Sequence, residues 1–169
     1  MNKTTFTIAD DKKTLLMERT FNTSGSKLWQ AYADPSILAQ WFSPQGWSTE
    51  VKKHDFTNGG EYVYVMKCED TAQGEWFGKT SSGKMVFSNI SPETSFEYKD
   101  YFTNEEGVVN ESLPAATSTV RITDNANGTA TLNVETTYQS EADLNTVLEM
   151  GMQEGYSQTL DKLEGLLAQ

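Results

Sequence analysis

The chain is poor in the residues from which most catalytic and metal centres are built. It has one cysteine, Cys68, and one histidine, His54. A lone cysteine excludes an intrachain disulfide and a cysteine-based metal cluster. A lone histidine gives little to a transition-metal set, and its neighbour Asp55 points to the opposite face of a strand, which disfavours a catalytic triad. His54 therefore reads as a surface imidazole. Cys68 ends a strand beside Glu69 and Asp70, acids that raise a thiol pKa and leave it unreactive. Basic residues are also scarce, 13 against 24 acidic ones, for a formal net charge of −11. That balance repels phosphate backbones and anionic lipid, so neither nucleic acid nor membrane is expected as a partner. No apolar run approaches the ~20 residues that span a bilayer. The segment Met1 to Lys13 is polar throughout, without a signal-peptide core. No repeat or Pro-rich linker divides the sequence, and the expectation is one domain over residues 1–169, cytoplasmic, with a reduced thiol. Gly59-Gly60 and Gly128 precede no helix and are turn residues rather than phosphate cradles.

Aromatic residues, in contrast, make up 11% of the chain, and most lie between Phe21 and Phe102. Alternation predicts strands over Thr14 to Phe21, Trp47 to Phe56, Glu61 to Cys68, Met85 to Ile90 and Phe96 to Phe102. A hairpin joins Val120 to Thr123 with Thr131 to Tyr138 around Asn125-Ala126-Asn127-Gly128. Ser24 caps a short helix carrying Leu28, Trp29 and Tyr32, and Asp34-Pro35 opens a second that ends at Trp41-Phe42-Ser43-Pro44. Asn104 to Thr117 reads as an irregular loop, long enough to serve as a lid in which Val108, Val109, Leu113 and Pro114 fold over a cavity mouth. Ser140 and Asp143 cap a final helix whose stripe of Leu144, Val147, Leu148, Met152, Tyr156, Leu160, Leu163 and Leu167 predicts one long amphipathic element. Strands followed by one terminal helix argue α+β, with the helix laid on an antiparallel sheet.

The order Arg19-Thr20-Phe21, Trp29, Asp34-Pro35, Trp41-Phe42-Ser43-Pro44, Asp55 with Gly59-Gly60, Met66, Pro114, Gly128-Thr129 and Met150-Gly151-Met152-Gln153-Glu154-Gly155 resembles the activator of Hsp90 ATPase homologue (AHSA1-like) family. That family belongs to the START-like, or polyketide cyclase-like, helix-grip superfamily. The resemblance runs from about Leu15 to Leu167. It implies a curved antiparallel sheet gripping the C-terminal helix around a cavity, with two short helices after the first strand. Phe42 and Tyr156 stand where relatives commonly carry Trp, changes that alter pocket shape more than fold. The family offers no catalytic motif to carry onto this sequence, and its members range from co-chaperone domains to ligand binders and possible cyclases.

Period-two spacing aims Tyr62, Tyr64, Met66, Phe87, Phe96, Tyr98 and Phe102 at one side of the sheet. A curved sheet leaves space that not all of them can fill. With Trp41, Phe42, Met152 and Tyr156 they are the candidate lining of a cavity for a small apolar or amphipathic ligand. Gly151 and Gly155, unfavourable inside a helix, imply close backbone approach first and extra cavity space second. Asp100 shares the face of Phe96, Tyr98 and Phe102; a bulge or strand end turning it to solvent is favoured over a desolvated acid, base or ligand anchor. The leading expectation is ligand binding without catalysis, cofactor or metal, by a monomer or homodimer. A co-chaperone-like protein-interaction module stands beside it, as does a cyclase or hydrolase using Asp100 and Tyr side chains.

Overall fold

The computed structural model describes residues 2–169. Eight antiparallel strands form one sheet in the order β1-β2-β8-β7-β6-β5-β4-β3. They are β1 (Thr5–Ile8), β2 (Thr14–Phe21), β3 (Trp47–His54), β4 (Glu61–Cys68), β5 (Thr80–Ser91), β6 (Ser95–Thr103), β7 (Ala116–Asp124) and β8 (Ala130–Thr137). Helices α1 (Gly25–Ala33) and α2 (Pro35–Trp41) follow β2, and α3 (Glu141–Glu149) and α4 (Met152–Leu167) end the chain. The sheet is curved around the terminal helix, the helix-grip arrangement of the α+β class.

Local chemistry explains the helix starts. The Ser24 hydroxyl accepts the Lys27 N–H, the Asp34 carboxylate accepts that of Ser36, and the Ser140 hydroxyl accepts that of Asp143. Each satisfies a backbone donor that the first turn leaves without a partner. In β2 the residues Leu15, Met17, Arg19 and Phe21 are buried while Leu16 and Glu18 face outward. Arg19, fully buried, bridges Asp161 at 2.7 Å and also Glu164, and donates to Thr4 Oγ1 at 3.0 Å. This pairing fixes β2 to α4, because a guanidinium so deep in the fold must be matched by carboxylates.

Five expectations are corrected. The polar N-terminal segment contains strand β1, an edge strand paired with β2 whose Phe6 turns inward. Strand β5 begins at Thr80 rather than Met85, and β7 begins at Ala116 inside the expected loop. The terminal stripe is interrupted: α3 stops at Glu149, and Gly151 adopts φ +83° as the residue preceding α4. That left-handed conformation is open to glycine and strained for a residue with a Cβ, so the stripe is carried by two helices. Finally, His54 is half-buried rather than a surface imidazole. A bulge between Val51 and Lys53 shifts the register of β3 and turns His54 inward. There its Nε2 lies 3.1 Å from the Tyr32 carbonyl and its ring stacks on Phe56.

Candidate functional site

The inner face of the sheet meets the helices in two different ways. Near α1 and α2 the aromatic side chains pack on each other edge to face. Phe96 lies 5.8 Å from Trp29, 5.3 Å from Tyr32 and 5.1 Å from Phe56, and Phe56 lies 4.9 Å from Phe87. Trp41 is fully buried with its indole N–H donated to the Ala31 carbonyl. Near the junction of α3 and α4 the same face stands off the helices and encloses a cavity of about 330 Å3. That volume is at the lower end of the range for small-molecule sites.

Seven strands supply the cavity wall. They contribute Phe6 from β1, Leu15 and Met17 from β2, Val134 and Thr136 from β8, and Ser118 from β7. Tyr98, Asp100 and Phe102 come from β6, Ser81 and Met85 from β5, and Tyr64 and Met66 from β4. Phe42 and Pro44, after α2, close one side; Val147, Met152, Gly155, Tyr156 and Thr159 form the helical side, and Tyr138 follows β8. Met150, largely exposed, stands on the rim. A recess of about 110 Å3 continues past Asp100 to Pro114 and Ala116. Pro114 of the long connection thus borders this recess, while Val108 stays out in solvent.

Of the residues expected to line a cavity, Phe42, Tyr64, Met66, Tyr98, Phe102, Met152 and Tyr156 do so. Trp41, Tyr62, Phe87 and Phe96 belong instead to the packed core. Alternation placed Tyr62, Phe87 and Phe96 on the right face, but it carries no information about which stretch of that face the short helices cover. Sequence reasoning missed Phe6, Leu15, Met17, Val134 and Tyr138; the first lay in a polar segment for which no strand was predicted, and the others look like ordinary core.

Two glycines shape this site. Gly83 sits beneath the Tyr64 ring, its register partner across β4 and β5. A Cβ there would come within 2.3 Å of the Tyr64 hydroxyl oxygen and 2.5 Å of its ring carbon. Gly83 is therefore what allows that phenol to lie flat along the wall. Gly155 is different. A Cβ there would meet Pro44 at 3.7 Å, ordinary contact, so close backbone approach is not its role and the missing side chain leaves cavity volume.

Asp100 overturns the solvent-facing expectation. It pairs with Met85 on β5 and Ala116 on β7, keeps the inward phase of β6, and projects into the cavity and its recess. Part of its surface borders the cavity and protein surrounds the rest; Oδ1 is sealed and has no hydrogen-bond partner. Burial pushes its carboxyl up to about 7, opposed weakly by a backbone hydrogen bond from Tyr101. Burial also drives the phenols of Tyr64, Tyr98, Tyr138 and Tyr156 upward, and the Asp100 charge adds to the effect on each. They remain neutral at ordinary pH. Ser118 and Thr136 satisfy each other at 2.8 Å, and Thr159 donates to the Gly155 carbonyl at 2.9 Å. The wall is thus apolar and aromatic, with a carboxyl and several phenols at one end. Among the described residues no group of three His, Cys, Asp or Glu side chains is placed to hold a metal ion. No helix among the described residues is long and apolar enough to cross a membrane.

Comparison with known proteins places this geometry in context. The family model described as Activator of Hsp90 ATPase homolog 1-like protein matches residues 22–168. A crystal structure of a protein from Mycobacterium smegmatis is 28% identical with a TM-score of 0.86, covering 98% of this chain and 96% of that one. A solution structure from Staphylococcus epidermidis is 26% identical with a TM-score of 0.79, covering 96% of this chain and 93% of the other. The AHSA1 protein from Silicibacter pomeroyi shares the fold, with a TM-score of 0.67 at 21% identity over 92% of this chain and 97% of that one. No curated protein matches the sequence.

Proposed function

The chain belongs to the activator of Hsp90 ATPase homolog 1-like family, and from that premise we propose that it is a one-domain, cytoplasmic binder of a small amphipathic molecule. The ligand lies between the sheet and α3–α4, and no chemistry is done on it. The observation that carries this reading is the aromatic cavity itself, whose walls come from seven strands and both terminal helices. Apolar ligand surface removed from water supplies the affinity, at about 25 cal/mol per Å2. Tyr64, Met66, Tyr98, Phe102, Met152 and Tyr156 form the contact surface, with Phe42 closing the side toward α2. Asp100 and the phenols orient the polar end. The family description names activation of an ATPase; a protein-interaction role of that kind rests on the name, whereas the cavity rests on geometry.

The test uses N-phenyl-1-naphthylamine, a dye whose emission rises in a dry site. It should bind the wild type saturably. Met152→Trp, which fills the cavity, and Tyr64→Ala, which removes part of its wall, should each weaken binding at least tenfold. Trp76→Ala, altering an exposed aromatic outside the cavity, should leave it unchanged. Unaltered dye affinity in Met152→Trp together with loss in Trp76→Ala would place the binding on the outer surface and refute the proposal.

A further inference from the structure

The cavity carries a charge asymmetry that selects among ligands. Its wall, among the described residues, includes one acidic side chain, Asp100, and no lysine, arginine or histidine. The titratable groups facing Asp100 are the phenols of Tyr64 on β4, Tyr98 on β6, Tyr138 after β8 and Tyr156 on α4. None of them can neutralise a carboxylate. Asp100 Oδ1 is buried without a hydrogen-bond partner. A native fold rarely leaves a buried polar atom in that state unless something else completes it.

Resting on the cavity reading above, we infer that the ligand is an amphipathic amine, its protonated nitrogen bonded to Asp100 and its apolar body held among the aromatic and Met side chains. A protonated amine supplies the missing donor and the missing charge together, and a charge-assisted hydrogen bond is about twice as strong as a neutral one. The phenol rings around Asp100 present π faces that favour a cation once water is excluded. A formal net charge of −11 draws cations toward the chain. The same features act against a carboxylate ligand such as a fatty acid, whose charge would meet Asp100 with no cation to offset it.

The ligand also controls the protonation of its own site. Near pH 6 the free cavity holds Asp100 mostly protonated, since burial has pushed its carboxyl up to about 7. An arriving ammonium favours the carboxylate, so amine binding at pH 6 releases a proton. Affinity for the amine then rises as pH passes through about 7, while the amine, with a pKa of about 10 like that of lysine, stays charged. A neutral ligand of the same shape shows neither effect.

The probes are 4-phenylbutylamine, 4-phenylbutanol and 4-phenylbutyrate, which share one skeleton and differ at its polar end. Each is titrated calorimetrically into the full chain at pH 6 and pH 8, in two buffers of different ionisation enthalpy. The expected order at pH 8 is amine, then alcohol, then carboxylate. The amine should lead the alcohol by roughly ten- to a hundredfold, the span of a hydrogen bond to a charged group. At pH 6 the amine alone should release close to one proton. Asp100→Asn, checked for folding by circular dichroism, should bind the amine no more tightly than the alcohol and lose the proton release. Trp76→Ala, outside the cavity and leaving the carboxyl in place, should retain both the amine preference and the proton release. Equal binding of amine and alcohol, or a preference for the carboxylate, overturns the amine assignment and leaves the cavity reading standing. No measurable binding of any of the three overturns both.

Discussion

Strand β6 passes from one kind of interior to another within a few residues. At its start Phe96 is enclosed by Trp29, Tyr32 and Phe56; further on, Asp100 and Phe102 border open space. The residue classes and the alternation are the same at both ends. What differs is cover: α1 and α2 press aromatic side chains onto the first end, while the second faces the cavity beneath the junction of α3 and α4. A helix-grip sheet thus divides one continuous face into a half that supplies stability and a half that is free to bind. Substitutions in the two halves should therefore fail in different currencies, stability in one and affinity in the other.

The sharpest contrast is expected between Phe96→Ala and Phe102→Ala. Phe96 is about 1% exposed and makes edge-to-face contacts on several sides. Its truncation should lower unfolding free energy by about 3–5 kcal/mol. Phe102 borders a cavity that already exists, so its truncation should cost clearly less, measured by urea denaturation. Equal losses would mean that the two halves are not distinct.

Asp100 gives the next largest effect, and its sign is defined. The folded chain keeps this proton up to about pH 7, whereas the unfolded chain releases it near the ordinary value of 3.8. Between those values the folded state binds more protons, so this group's contribution to stability falls as pH rises and levels off above 7. Relative to Asp100→Asn, the wild type should lose up to about 4 kcal/mol between pH 4 and pH 8. A flat difference across that range would place Asp100 in solvent.

A smaller effect is expected at the seam between the halves. Gly83→Ala should destabilise by about 1–3 kcal/mol, the usual cost of overpacking, because the Tyr64 ring cannot stay where it is. Combining it with Tyr64→Ala should recover part of that loss, since the added methyl then meets space. Additive losses in the double variant would show that the close approach is not the cause. Smallest of all, Gly155→Ala should leave stability within about 1 kcal/mol while reducing dye affinity, because its new methyl enters the cavity. A stability loss without an affinity loss would assign Gly155 to packing.

Much of this division was legible in the sequence and part of it was not. Period-two spacing put Tyr64, Tyr98 and Phe102 on the inner face, and the capping residues Ser24, Asp34 and Ser140 marked the helix starts. Alternation is a property of one strand, however, and cover depends on elements distant in sequence. Trp41, Tyr62, Phe87 and Phe96 could not be separated from the cavity residues for that reason. His54 was misplaced because one bulged residue in β3 reverses the phase of everything after it. Asp100 was misjudged because a polar residue on an apolar face suggests an irregularity, whereas the strand runs through it unbroken. At Gly151 the hydrophobic stripe stayed in phase across the break, hiding the start of a second helix.

The chain's own methionines offer the most direct test of the central claim. Met17, Met66, Met85 and Met152 line the cavity and Met150 stands on its rim. With the ε-methyl groups isotopically labelled, titration with 4-phenylbutanol can be followed by two-dimensional NMR. The account predicts saturable shifts at Met17, Met66, Met85 and Met152 together, fitted by one dissociation constant and lost in Met152→Trp for the three that remain. Shifts confined to Met150, or no shift at the four inner methyl groups at saturating alcohol, would contradict it.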